Sequence, residues 1–254
     1  MPRGIRHQDV NLAVRDLTGT ASVPVLPGEI DGLQTVCHVI APGATLTIEP
    51  VQMQGRVYLF VEGSGSLDSG GERYEVTEMV FYAPRHDAAL TMHSNLTGDT
   101  SLRCLELIVD QSPTDLQELQ DAGDRYPLFL SYSDCKTYRE RIKSEKTVSR
   151  TLLPEHTFPR LCIGSVETTG DDRVAAHEHP MLEQLFFGLR DNDCIVTADE
   201  TSLAFGEGIL LHIPLGSSHG VEVHEPRRLH YIWIDLFRDR RGMDWITQEH
   251  IPNP

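Results

Sequence analysis

A series of short apolar segments, each bounded by Gly, Pro, Asp or Asn, constrains the fold of this chain more than any other feature. The segments are rich in β-branched, aromatic and aliphatic residues and lack the period of an amphipathic helix. They cover residues 45–48, 57–61, 79–83, 102–109, 161–166, 183–189, 194–198, 209–213, 220–223 and 229–237. Strands of this length, separated by turn residues, are typical of a sandwich or barrel, so the sequence predicts an all-β fold.

One short helix is expected between the two halves of this pattern. Ser112 is a suitable N-cap, and Pro113 suits the first helical turn. Asp115 stands where a capping-box acid belongs, three residues after the cap. Gly123 has the right position to end the helix. The sequence therefore predicts a short inter-domain helix in an otherwise β-rich chain.

The stretch 134–150, which we call the connector, is charged, with Lys, Arg and Glu interleaved. Because acids accompany the bases throughout, we interpret it as a solvated connector and not as a basic patch.

A domain boundary is expected within 112–150, and we place the two domains at 1–125 and 126–254. The chain has 254 residues, which is long enough for each of two domains to bury a core.

The charge balance excludes two classes of partner. With 22 Lys and Arg against 38 Asp and Glu, the net charge is −16, whereas nucleic acids and anionic membrane surfaces require a basic footprint.

No apolar run is long enough to span a bilayer. The five cysteines are far apart and form no C-x-x-C pair, and the first residues carry no secretory pattern. We therefore expect a cytoplasmic protein.

Two histidine-containing stretches indicate a metal site. His177 and His179 are two residues apart, so on a strand both side chains point to the same face, and Glu183 has the same parity. In the second stretch, a Pro-x-Gly turn precedes His219, which opens the next strand. Three imidazoles and one carboxylate directed into one barrel make a suitable site for a divalent first-row metal.

The same alternation predicts the surroundings of this site. If Glu183 faces inward, Leu185 and Phe187 face inward as well, and the wall near the metal is mostly apolar. Gln184 then faces outward. His230, in the last predicted strand, either lines the barrel or is packed in the core. It is the candidate catalytic residue for proton transfer, because no second carboxylate is evident in the pattern.

These residues resemble the two sequence motifs of the cupin superfamily. The first motif is Gly, five residues, His-x-His, three or four residues, Glu, six residues, Gly; the second is Gly, five residues, Pro-x-Gly, two residues, His, three residues, Asn. The second motif matches from Gly208 through His219, but Val223 replaces its final Asn. The first matches at its three ligand positions, although Gly170 lies one residue too far upstream and Arg190 replaces the closing Gly.

The resemblance implies jelly-roll β-barrels and a set of four metal ligands, namely His177, His179, Glu183 and His219. The cofactor is then one divalent transition metal, with Mn, Fe, Zn and Ni as the alternatives. Cupins include decarboxylases, isomerases, lyases, dioxygenases and hydrolases, and others only bind small molecules. The resemblance therefore implies a fold and a ligand set but does not select a reaction.

The two cupin motifs can also be aligned with the first half of the chain, where the metal-ligand residues are missing. Glu49 and Val51 occupy the His-x-His positions, Arg56 occupies the Glu position and Ala89 that of the last His. Matching positions are separated by a nearly constant offset of about half the chain, which indicates an internal duplication. Because a guanidinium repels a cation, we expect a bicupin with a degenerate N-terminal barrel. Arg56 either pairs with Glu49 inside that barrel or is not buried.

We expect the second barrel to use the metal as a Lewis acid on a small carboxylate- or hydroxyl-bearing metabolite, as a hydrolase, lyase or isomerase. The length, the degenerate first barrel and the tail 231–239 are similar to the ureidoglycine aminohydrolase type of bicupin, which implies Mn²⁺-assisted hydrolysis with release of ammonia. An iron-dependent dioxygenase and a non-catalytic binding or sensing cupin are the alternatives. We also expect a homodimer, with the residues before about 35 and the tail 241–254 as candidates for strand exchange.

Overall fold

The computed structural model describes residues 4–14, 19–96, 100–140 and 143–249 and divides into two compact units. We call Leu12–Asp134 the N-terminal unit, and Met1–Asn11 with Cys135–Pro254 the C-terminal unit. Strand β1 (Arg6–Asp9) belongs to the C-terminal unit because it pairs with the strand at Ile209–Ile213, although the sequence places it in the first domain. Helix α1 (Val10–Val14) follows β1.

The N-terminal unit consists of two antiparallel sheets. Its strands are β2 (Ala21–Ile30), β3 (Leu33–Ile40), β4 (Thr45–Ile48), β5 (Gln54–Glu62), β6 (Gly65–Ser69), β7 (Glu72–Val76), β8 (Val80–Ala83), β9 (Leu90–Ser94), β10 (Leu102–Asp110) and β11 (Leu128–Ser131). The larger sheet has the order β11-β8-β5-β10-β3-β2, and the smaller has the order β4-β9-β6-β7. Their facing side chains form one core, in which Phe60 and Tyr82 meet Leu67 and Met92.

The C-terminal unit has the same two-sheet construction. Its further strands are β12 (Thr137–Tyr138), β13 (Val148–Phe158), β14 (Leu161–Thr169), β15 (Asp172–His177), β16 (Leu182–Gly188), β17 (Asp193–Ala198), β18 (Thr201–Gly206), β19 (Ile209–Ile213), β20 (His219–Val223) and β21 (Arg228–Phe237). The larger sheet has the order β1-β19-β16-β21-β14-β13-β12, and the smaller has the order β15-β20-β17-β18. Helix α3 (Arg240–Glu249) follows β21, so the tail 241–254 is described only as far as residue 249.

The two units repeat one strand order. β11-β8-β5-β10-β3-β2 matches β1-β19-β16-β21-β14-β13, and β4-β9-β6-β7 matches β15-β20-β17-β18. Each of the ten apolar segments singled out in the sequence coincides with a strand. The predicted fold class, an all-β chain with two tandem jelly rolls, is confirmed, and the predicted short helix is present in the N-terminal unit. Among the described residues, no helix has the length and apolar character required to cross a membrane.

The predicted helix is α2 (Pro113–Asp121). Its capping box is complete: the Ser112 backbone N–H donates to the Asp115 carboxylate at 2.9 Å, and the Asp115 N–H donates to Ser112 Oγ at 3.2 Å. The C-cap is Ala122, and Gly123 instead begins a 3₁₀ turn. The helix therefore starts where the sequence predicts, and its last residue, Asp121, lies two residues before Gly123.

The described part of the connector packs on the C-terminal unit, and our interpretation of it as solvated is wrong for its central residues. Thr137–Tyr138 forms the edge strand β12 beside β13. The side chains of Glu140 and Lys143 are only 9% and 7% exposed and form an ion pair at 3.0 Å. An interleaved pair of opposite charges can be buried when each neutralises the other, which the charge pattern alone does not reveal.

Candidate metal centre

The structure brings three of the four expected ligands together. His177 ends β15 and pairs directly with His219 at the start of β20, and His179 follows two residues after β15. One ligand atom from each of the three imidazoles lies within 4.8 Å of the others. The ring centroids of His177 and His219 are 4.5 Å apart, and those of His179 and His219 are 5.3 Å apart.

Backbone carbonyls and a tight turn orient two of these imidazoles. His177 Nδ1 donates to Ala175 O at 2.8 Å, and His219 Nδ1 donates to Ser217 O at 3.1 Å. This arrangement leaves the Nε2 lone pair for a metal, as in known metal sites. The turn before His219 needs Gly216, whose φ of +73° is in the left-handed region.

The environment of His219 fits a divalent cation. Its Nε2 atom is buried and has no hydrogen-bond partner among the described residues. Burial, followed by the neighbouring His177, lowers the pKa of His219 to about 4. The imidazole is therefore neutral near pH 7, which is the form that binds metals. An orphaned nitrogen beside two more imidazoles is the donor set that Zn, Mn, Fe or Ni can use.

Glu183 does not join the imidazoles. Its carboxylate accepts hydrogen bonds from His212 Nε2 at 3.1 Å and from Arg238 at 2.8 Å. The hydrogen bond from His212 outweighs burial, and with Arg238 it holds the pKa of Glu183 below its usual range. The physical reason is that a turn follows His179 and β16 belongs to the other sheet, so the alternation that starts on β15 does not continue.

Gln184 and Phe186 line the cavity beside His177 and His179, contrary to the predicted orientation of Leu185 and Phe187. Gln184 Nε2 donates to Asp235 at 2.7 Å, whereas its Oε1 is buried without a hydrogen-bond partner among the described residues. The first cupin motif allows three or four residues after His-x-His, and the longer spacing ends at Gln184. That alternative spacing is the signal that could have identified it.

The cavity has a volume of about 380 Å³, which suits a small ligand. Its wall is mostly apolar, and the connector contributes charged side chains to it. The lining includes Tyr138, Glu140 and Lys143 from the connector, His177 and His179, Gln184 and Phe186 from β16, and Tyr231, Trp233 and Asp235 from β21. No sequence motif indicated the connector residues.

His230, the expected proton-transfer residue, is not part of the described cavity lining. On β21 the alternate residues Tyr231, Trp233 and Asp235 face the cavity, so His230 has the opposite parity. Its backbone N–H donates to Asn192 at 2.7 Å, and burial, followed by Arg228, lowers the pKa of its side chain. This placement leaves the cavity without the expected acid or base.

In the N-terminal unit, Arg56 is paired, but not with Glu49, which is exposed. The Arg56 guanidinium donates to Glu106 at 2.6 Å. Glu106 also accepts from Tyr58 Oη at 2.9 Å and from His38 Nε2 at 2.8 Å. Arg56 on β5 bonds to Glu106 on β10, as Gln184 on the matching strand β16 bonds to Asp235 on β21.

No protein-family model and no curated protein sequence matches the chain. Solved structures do match the chain. A cupin 2 conserved barrel domain protein from Leptotrichia buccalis is 14% identical, with 93% of this chain and 98% of that chain covered and a TM-score of 0.64. An IolB-like protein from Salmonella typhimurium is 13% identical, with 91% and 97% covered and a TM-score of 0.67.

A third neighbour is the oxalate decarboxylase of Lactobacillus farciminis in complex with formate. It is 11% identical, with 94% of this chain and 87% of that chain covered and a TM-score of 0.65. Identities this low establish the fold and not a shared reaction. Taken with the matching sheet orders, these neighbours show that the chain has the cupin fold.

Proposed function

We propose that the C-terminal unit binds one divalent transition metal through His177, His179 and His219, with the Gln184 carboxamide oxygen as a further donor, and acts on a small carboxylate- or hydroxyl-bearing molecule. The observation that carries this proposal is the three-imidazole group, whose ligand atoms lie within 4.8 Å of one another beside a cavity. A small carboxylate is the first ligand class to test, because one solved neighbour is an oxalate decarboxylase in complex with formate.

A metal bound there supplies Lewis-acid chemistry, which polarises a ligand oxygen or lowers the pKa of a water molecule. The chain's own side chains provide the surroundings. Asp235 holds the Gln184 amide by a 2.7 Å hydrogen bond, which fixes the direction of Oε1. Phe186 packs against Tyr231 with ring centroids 4.6 Å apart, so one wall is apolar and excludes water. With a Lewis-acid metal in this site, we propose hydrolysis, elimination or isomerisation of one bound molecule as the reaction class.

Elemental analysis of protein purified without chelator tests the metal. We expect about one transition metal per chain in the wild type and a loss of most of it in His177→Ala and His219→Ala, because three imidazoles are the principal donors. His224→Ala is the matched control, since the His224 side chain is 63% exposed and belongs to a surface group. Equal metal content in the wild type and His177→Ala would contradict the proposal.

A ligand screen tests the substrate class. The metal-loaded protein is heated with a panel of small mono- and dicarboxylates and hydroxy acids, and ligands that raise Tm are then assayed for turnover. We expect at least one carboxylate to stabilise the wild type and not His177→Ala, because binding only to the native state raises stability. Turnover that consumes oxygen would overturn the non-redox assignment and identify a dioxygenase.

A further inference from the structure

All three lysines of this chain stand in the connector, at positions 136, 143 and 146. Lys136 and Lys146 are exposed, whereas the Lys143 side chain is only 7% exposed. Lys136 and Lys143 both belong to the lining of the cavity that contains His177 and His179. Burying an ammonium group costs several kcal/mol unless it is paired, on the order given for ions in real proteins. The position of Lys143 therefore requires a physical explanation.

Two acceptors hold the Lys143 ammonium. Its Nζ donates to Glu140 Oε1 and to Ser149 Oγ, both at 3.0 Å. An ammonium group has three N–H donors, so the third has no acceptor among the described residues. Because Lys143 and Glu140 both line the cavity, a bound molecule can supply that acceptor.

The charges around Lys143 keep its proton exchangeable. Glu140 and Tyr138 face it from the connector, and Asp235 faces it from β21. Burial lowers the pKa of Lys143, and the carboxylates of Glu140 and Asp235 oppose that effect without cancelling it. An amine with a lowered pKa can give up a proton at smaller cost than a surface lysine.

The backbone around Lys143 is fixed to the barrel. Residue 143 forms an isolated bridge with Val174 of β15, three residues before His177. The hydroxyls of Ser144 and Thr147 donate to Asp172, at 2.8 and 3.0 Å. Groups held in this way lose little freedom when a molecule binds, which is what a positioned catalytic group requires.

We propose that Lys143 is a catalytic residue of this cavity, whose ammonium contacts the bound molecule and donates a proton to it, while Glu140 and Ser149 hold the ammonium in place. The proton leaves Nζ for the substrate atom that keeps the electron pair of the breaking bond. The amine is then neutral and regains a proton from water when the product leaves. This role rests on the proposed function and is the one that the sequence assigned to His230.

The first test measures the titration of Lys143 in the full chain. Trace acetic anhydride acetylates only neutral amines, and with three lysines each labelled peptide is quantified by mass spectrometry across neutral to alkaline pH. We expect the labelling midpoint of Lys143 to lie below that of Lys146, and Glu140→Gln to lower it further because a carboxylate that favours the ammonium is lost. A midpoint equal to or above that of Lys146, or no labelling while the chain is folded, would overturn the proposal in favour of a structural ion pair.

The second test uses whichever carboxylate shows turnover in the ligand screen. Lys143→Arg keeps the positive charge but does not release a proton, because a guanidinium pKa exceeds about 12. We expect kcat to fall about 10²–10⁴-fold with KM little changed and with the alkaline limb of the pH profile lost. Lys143→Met, which removes the charge, should raise KM as well, and Lys146→Arg is the control. Wild-type kcat in Lys143→Arg would overturn the proposal.

The proposed metal site and the proposed catalytic role of Lys143 can be rejected independently of each other. The metal content of His177→Ala decides whether the imidazoles bind a metal, and it does not depend on Lys143. Labelling of Lys143 needs neither metal nor substrate. Normal metal content together with an unreactive Lys143 would reject only the role of the lysine.

Discussion

At the scale of single residues, register decides which side chain reaches the cavity. Glu183 and Gln184 are adjacent, yet Glu183 bonds to His212 and Arg238, whereas Gln184 lines the cavity. Successive side chains on a strand point to opposite faces, so a shift of one residue exchanges a carboxylate for a carboxamide at the site. A neutral oxygen donor in place of a carboxylate leaves a bound divalent metal with more net positive charge.

Substitution at these two positions separates their roles. We expect Gln184→Ala to weaken metal binding about tenfold or more, as the loss of a ligand or its close support does. Glu183→Gln should retain the metal, because its carboxylate accepts bonds from His212 and Arg238 instead. Metal titration of the two variants gives the comparison. Loss of the metal in Glu183→Gln would instead support Glu183 as the fourth ligand, as the motif predicts.

Glu106 should make the N-terminal unit sensitive to acid. Burial raises the pKa of this 2% exposed carboxyl, but the bonds and charges of His38, Arg56 and Tyr58 outweigh burial and lower it. A lowered pKa adds stability above the ordinary glutamate range, and that stability is lost as pH falls through the native-state value. We expect Glu106→Gln to lose roughly 3 kcal/mol near neutral pH and less in acid, since a buried cation loses its partner.

Chemical denaturation at several pH values measures this effect. Glu75→Gln is the matched control, because the Glu75 side chain is 65% exposed and its ion pair with Arg73 lies on the surface. Surface pairs contribute about 0–1 kcal/mol, so its stability should remain near that of the wild type. Equal losses in both variants would argue against the buried network.

At the scale of elements, the connector is the segment whose structure differs most from the one predicted from the sequence. Its charges predict a solvated chain, but β12 extends the larger sheet, and Glu140 and Lys143 line the cavity. Asp172 fixes this segment, because its Oδ2 accepts hydrogen bonds from Thr168, Ser144 and Thr147, at 2.7, 2.8 and 3.0 Å. Burial raises the pKa of Asp172, but these hydrogen bonds and a backbone N–H lower it overall.

We expect Asp172→Asn to loosen the connector without unfolding the barrel. A neutral amide accepts more weakly than a carboxylate, so local opening should rise roughly tenfold, the factor for one lost hydrogen bond to a charged group. Trypsin cleavage after Lys143, Lys146 and Arg150 reports that opening. Asp171→Asn is the control, because the Asp171 side chain is 74% exposed. Unchanged cleavage in Asp172→Asn would show that other contacts hold the segment.

At the scale of the whole molecule, the two units repeat one sheet order, and each has a further strand beside β8 or β19. In the N-terminal unit that strand is β11, from the same half of the chain, and in the C-terminal unit it is β1, from the other end of the sequence. β1 covers the edge of β19 and is itself the edge strand of the larger sheet. The strand exchange expected of the N-terminal segment stays a prediction.

Removal of residues 1–9 should destabilise the C-terminal unit selectively. The deletion leaves the edge of β19 unpaired, and we expect a loss of about 1–3 kcal/mol, within the usual range of single structural defects. Both tryptophans of the chain belong to this unit, and Trp233 packs against its core, so tryptophan fluorescence follows its unfolding. A midpoint equal to that of the full chain would mean that β1 contributes little to stability.

The sequence by itself determined the all-β class and the strands at the ten apolar segments, and it singled out the three histidines that the structure brings together. Alternating apolar segments and turn residues are local signals, and His177, His179 and His219 stand in or beside such segments, so their placement follows from nearest neighbours along the chain. Only the tertiary structure decided that Gln184 and not Glu183 faces the cavity, that β1 joins the opposite half, and that Lys143 is buried beside the imidazoles. Each of these depends on which sheet a strand joins or on a long-range ion pair, and such contacts are set by packing between segments far apart in sequence.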